Sequence, residues 1–149
     1  MFDQLLHNYI LIAALLAWGI AQALKVPIEY VSTHKLNWVL LLRAGGMPSS
    51  HSALVTAAAH SVGLFIGFNS GLFALAIVLA MIVIYDATGI RRQAGKHAEL
   101  INAMLRDLAT GHMVPQEQLK EVLGHTPLQA FAGVVLGLVV AQVVYWVVS

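Results

Sequence analysis

The chain contains no cysteine, which excludes disulfides, thiolate nucleophiles and cysteine-ligated metals. Charge is nearly as scarce. Only 10% of the 149 residues are Asp, Glu, Lys or Arg, against about a quarter in an ordinary soluble domain. There are four prolines, and no low-complexity tract or internal repeat. A formal net charge of +1 says nothing about a nucleic-acid partner, and no patch of interleaved basic and aromatic residues suggests one. Apolar sequence fills the space that these absences leave. Hydrophobic residues make up 59% of the chain, and the mean hydropathy is +0.79. That composition predicts an all-α integral membrane protein with one transmembrane domain over residues 1–149.

Four apolar spans can be drawn, at about 8–24, 52–68, 72–85 and 128–148. The first is too polar at its start to read as a signal peptide. The second and third are short against the roughly 20 residues that cross a bilayer. Pro127 suits the first turn of the last helix, and Tyr145 and Trp146 suit an interface near its end. With four crossings, segments 25–51 and 86–126 share one side of the membrane. All of Lys25, Lys35, Arg43, Arg91, Arg92, Lys96, Arg106 and Lys120 fall in those two segments. The positive-inside rule therefore places both in the cytoplasm, as for a bacterial inner-membrane protein.

Chemistry concentrates in two places. Gly45-Gly46-Met47-Pro48-Ser49-Ser50-His51-Ser52 breaks the backbone just before the second span. A helix N-terminus there offers unpaired N–H groups and the positive end of a dipole to an anion such as phosphate. Ser49 or Ser50 can cap the helix or donate to an anion oxygen, and His51 can pass a proton near neutral pH. The second place is the segment after span three, which opens with Tyr85-Asp86-Ala87-Thr88-Gly89-Ile90-Arg91-Arg92. An acid at a bilayer exit is costly unless paired, which predicts an ion pair between Asp86 and Arg91 or Arg92. Residues 98–108 then read as an amphipathic helix with Leu100, Ile101, Met104, Leu105 and Leu108 on one face. His97 and His112 read as surface histidines. The segment closes with His125 at the mouth of span four, as His51 stands at the mouth of span two. His60 lies about 13 Å deeper in span two and on roughly the opposite face, which predicts an interhelical hydrogen bond rather than catalysis.

Pro48-Ser49-Ser50-His51 resembles the PSGH motif of the phosphatidic acid phosphatase type-2 superfamily, which includes the vanadium haloperoxidases. The run from Leu123 through Gly124, His125, Thr126 and Pro127 to Gly133 resembles that superfamily's third motif. With YDATGIRR between them, the whole chain resembles the short, divergent bacterial and plant branch described as acid phosphatase/vanadium-dependent haloperoxidase-related membrane proteins. The resemblance implies a lipid phosphatase with His125 as nucleophile and His51 as general acid and base. It implies phosphate contacts from Ser49, from N–H groups near Ser50, and from a cationic set drawn from Lys25, Arg43, Arg91, Arg92 and Lys120. It implies no cofactor and no metal, in keeping with a sequence that has no HxxxH, Asp-rich or cysteine-based ligand set.

The sequence departs from the superfamily at three points. Lys35 and Arg43 are eight apart rather than seven and lack the following proline. Leu119 stands where an arginine is usual six before the nucleophile, with Lys120 next to it. Gln129 stands where the superfamily has an aspartate that orients the histidine. Either Asp86, Glu117 or Glu121 supplies the carboxylate, or the protein is a slow enzyme or none. The expected substrate is a phosphomonoester or diphosphate of phosphatidate, phosphatidylglycerophosphate or polyprenyl type. Two other classes fit the sequence: a non-catalytic protein binding anionic lipid or a partner, and a phospholipid transporter subunit. Ala57, Ala58, Ala59, Gly133 and Gly137 suit close helix contacts, from which a homodimer is expected.

Overall fold

A computed structural model describes residues 5–34, 36, 38–41, 46–109 and 125–149, with backbone alone at 32, 40, 90–96, 107 and 109. The described residues form five helices and no strand: α1 (Tyr9–Thr33), α2 (Ser50–Ile66), α3 (Gly71–Thr88), α4 (Ile90–Ala109) and α5 (Pro127–Val148). A short 3₁₀ turn at Trp38–Leu41 is tied to α1 by Gln22 Nε2 donating to the Leu41 carbonyl at 2.9 Å.

Helix starts follow the local chemistry. Asn8, Ser49, Ser70 and Thr126 cap α1, α2, α3 and α5, each side-chain oxygen accepting a first-turn backbone N–H. Thr126 and Gln129 form a reciprocal capping box, with Pro127 in the first turn of α5 where its missing N–H costs nothing.

Among the described residues, three stretches are long and apolar enough to cross a membrane: Tyr9–Val31, Gly71–Thr88 and Pro127–Val148. Helix α2, with 17 residues, is the shorter apolar helix. It is also the central one, packed against α1, α3 and α5. That position explains how it tolerates buried Ser50, Ser52, Thr56 and Ser61, because its neighbours stand between those hydroxyls and the surroundings. Helix α3 is the opposite case. Only Ala80 and Ala87 are buried on it, and Leu75, Val78, Leu79, Met81, Ile82 and Tyr85 all face outward.

The core is built from small side chains. Ala17 and Ala21 of α1, Ala53 and Ala57 of α2, and Val140 and Ala141 of α5 form one cluster, flanked by Leu136 and Val144. Where α2 meets α5 even a methyl group is too large. A Cβ on Gly133 would collide with the Ser49 carbonyl oxygen, and one on Gly137 would lie 2.6 Å from the Ala53 carbonyl oxygen. Ala57, Ala59, Gly133 and Gly137 therefore make close helix contacts within one chain.

Two boundaries differ from expectation. The first apolar helix does not stop near Leu24; it continues through Lys25 and Pro27 to Thr33. Pro27 removes one N–H from the ladder, and Lys25 is not a lipid-facing charge that ends a span, because its side chain turns inward and is 2% exposed. The amphipathic helix begins at Ile90 rather than Ala98, since its first two turns lack apolar periodicity but contain no proline to stop the helix. Its Leu100, Ile101, Met104, Leu105 and Leu108 are exposed, whereas Ala98 and Asn102 are buried.

Candidate active site

The site forms where the starts of α2 and α5 meet the end of α3. Gly46 adopts a positive φ of 80° ahead of a cis Met47–Pro48 bond, and its α-carbon comes close to the Lys25 stem. Ser49 then caps α2. Its Oγ accepts the Ser52 N–H at 3.3 Å and the Ser52 hydroxyl at 3.0 Å. Its own N–H donates to the Gln129 carbonyl at 2.9 Å. That main-chain bond fixes the first turn of α5 against the first turn of α2, at the level where Gly133 removes the obstructing side chain. A second main-chain bond, from the His125 N–H to the Ala87 carbonyl at 2.9 Å, holds the residue before α5 to the last turn of α3.

These two bonds bring distant histidines together. The His51 and His125 rings lie with centroids 6.4 Å apart and planes tilted by 56°. His125 is 4% exposed and His51 half-buried. Gln129 Oε1 lies 3.4 Å from His125 Nδ1 and accepts the Thr126 N–H at 3.0 Å. An amide oxygen can only accept, so Nδ1 is the donor in this pair. From α1, Lys25 Nζ reaches the Ser50 hydroxyl at 3.5 Å. One small volume therefore holds two imidazoles, a buried ammonium, two serines and a helix N-terminus. This combination can bind a phosphate group and transfer it.

The structure thus brings together His51, His125, Ser49, Ser50, Lys25 and Gln129 from the predicted set. Asp86 sits half-buried in the last turn of α3, next to Ala87. Arg43, Glu117, Lys120 and Glu121 lie outside the described residues, as do the side chains of Arg91 and Arg92, so the ion pair with Asp86 falls there too. His112 is likewise outside them, while His97 is exposed as expected. His60 makes the expected interhelical bond, its Nε2 lying 3.3 Å from Gln142 Oε1 on α5.

Sequence reasoning missed Ser52, which clamps the Ser49 hydroxyl. It expected close helix contacts at Gly133 and Gly137 but not the surface they meet, the Ser49 and Ala53 carbonyls at the start of α2, whose four-residue spacing matches theirs.

A family model described as the divergent PAP2 family matches residues 6–140. Among curated proteins, the chain is 40% identical over 151 residues to the uncharacterized membrane protein YuiD of Bacillus subtilis (strain 168), covering 94% of this chain and 96% of that one. No solved structure matches.

Proposed function

This chain belongs to the divergent PAP2 family, and on that premise we propose that it is a membrane lipid phosphatase working through a phosphohistidine. The observation that supports this most directly is the pairing of His51 and His125 rings at 6.4 Å beside the capped start of α2. His125 Nε2 attacks phosphorus in line and forms the N–P bond as the ester P–O bond breaks, and His51 protonates the leaving alkoxide. His51 then takes a proton from water, which attacks the phosphohistidine and releases inorganic phosphate. Ser49, Ser50 and the first N–H groups of α2 hold the equatorial oxygens, and Lys25 offsets the charge that grows on them.

In this reading α2 is the fourth crossing, short because it is sheathed by protein, and the site opens at the cytoplasmic face of the inner membrane. The one-sided distribution of Lys and Arg supports that orientation. The substrate is a phosphomonoester or diphosphate of a lipid. Gln129 favours a second reading, in which the chain binds anionic lipid without turnover, because an amide orients His125 but adds no charge to stabilise its cationic form.

Phosphate release from a panel of lipid phosphates by purified protein, with and without chelator, separates the two. Chelator-resistant release that disappears in His125→Ala establishes the phosphatase. Binding of the same lipids without release establishes the second reading.

A further inference from the structure

A cavity of about 260 Å³ lies between α2, α3 and α5. Thr56 and His60 line it from α2, Ala80 and Ile84 from α3, and Val134 and Leu138 from α5. Two alanines leave the room: Ala59 and Ala80 are both buried on it, where larger side chains would fill the space between helices. Its position relative to the histidines is defined. Ile84 is three residues before Ala87, whose carbonyl holds the His125 N–H. Thr56 is five residues beyond His51, roughly 7.5 Å along α2. The cavity therefore lies deeper along the helices than the two rings, between α2, α3 and α5. Its lining is apolar apart from Thr56 and His60, and the His60 ring is bonded to Gln142. The volume is enough for roughly nine methylenes, taking each as about the size of a water in the liquid.

We propose that this cavity seats one hydrocarbon chain of a phosphorylated lipid whose headgroup lies between His51 and His125, an assignment that rests on the phosphatase reading of that site. The rim supports access from the bilayer, since Ile77 and Met81 on α3 border the cavity and are exposed. A second apolar groove of about 300 Å³ borders Leu24, Ile28, Pro48, Ala132 and Val139 between α1 and α5. It includes no residue of α3, the helix that holds His125 through Ala87. The α2–α3–α5 cavity is thus the one that borders the helix holding His125.

The test uses the full chain in phosphatidylcholine vesicles, with a trace of phosphatidate carrying a photoreactive diazirine midway along one acyl chain. Labelling is expected between Ile77 and Ile84 and at Val134 and Leu138. It should be competed by unlabelled phosphatidate or by polyprenyl phosphate, and the stronger competitor identifies the chain type. Extra phosphatidylcholine should not compete. Ala80→Phe should cut the labelling about tenfold, the equivalent of two methylenes kept out of the cavity, and Ala132→Phe in the other groove should leave it in place. Competition by phosphatidylcholine, or labelling centred on Ile28 and Val139, overturns the assignment. The competition is read on the unaltered chain, so a misfolded variant does not obscure it. Labelling in the cavity without phosphate release overturns catalysis and leaves the lipid seat standing. Release with labelling elsewhere overturns the seat alone.

Discussion

On the phosphatase reading, replacing Gln129 by glutamate should raise the rate of phosphate release. The local structure already accommodates a carboxylate. Gln129 is the third residue of α5, its side-chain oxygen accepts the Thr126 N–H at 3.0 Å, and Thr126 returns the bond. A capping box takes glutamate as readily as glutamine, and a negative charge in the first turn interacts favourably with the helix dipole. Stability should therefore hold or rise slightly. The gain arises at His125, whose Nδ1 is 3.4 Å from the same oxygen. When Nε2 bonds to phosphorus the ring becomes cationic, and a hydrogen bond to the amide becomes one to a carboxylate. Neutral hydrogen bonds contribute about 0.5–1.5 kcal/mol net and charge-assisted ones about 1.5–3 kcal/mol. The difference of about 1–1.5 kcal/mol corresponds to roughly a five- to tenfold higher kcat. Full Coulombic attraction would be larger, but desolvation of the carboxylate beside a nearly buried ring offsets part of it. The assay is initial-rate phosphate release from the preferred lipid phosphate, with thermal unfolding in detergent run in parallel. Unchanged or lower kcat in a variant of unaltered melting temperature would refute the reasoning and point to a carboxylate elsewhere.

Other substitutions test other parts of the arrangement. His51→Ala and His125→Ala should each abolish turnover with the far-ultraviolet helical signal intact, and full activity in either removes that histidine from the mechanism. Lys25→Met should raise KM by about tenfold or more, the worth of a charge-assisted hydrogen bond to phosphate. It should leave the fold intact because the replacement is apolar and fills similar space; an unchanged KM would exclude Lys25 from phosphate binding. Gly133→Leu should lower stability by about 1–3 kcal/mol or more by forcing α5 off the start of α2, read as a lower melting temperature together with lost activity. Thr126→Ala should cost about 1 kcal/mol through the lost cap, and a larger loss would mean that the hydroxyl does more than cap.

The helices α2, α3 and α5 were legible because their starts carry local signals: Ser49, Ser70 and Pro127 each mark a first turn within two residues of the expected boundary. His51 and His125 were legible as residues at the mouths of apolar spans. Lys25 was harder to place, because a lysine inside apolar sequence reads as the end of a helix. The hydroxyl that receives its ammonium lies 25 positions away, in a different element. The glycines of α5 announced a close contact without naming the surface that fills it, since residue size along one helix says nothing of which neighbour approaches. The first turns of α4 were invisible for a related reason, as a helix without an apolar stripe has no period to detect.

The two bonds that set the active-site register, Ser49 N–H to the Gln129 carbonyl and His125 N–H to the Ala87 carbonyl, involve no side-chain atoms. Every residue offers the same carbonyl oxygen, so neither bond depends on whether position 129 carries an acid or an amide. On the phosphatase reading, an exchange of acid for amide there changes the rate and leaves the histidines in place, with no need for the chain to refold around the change.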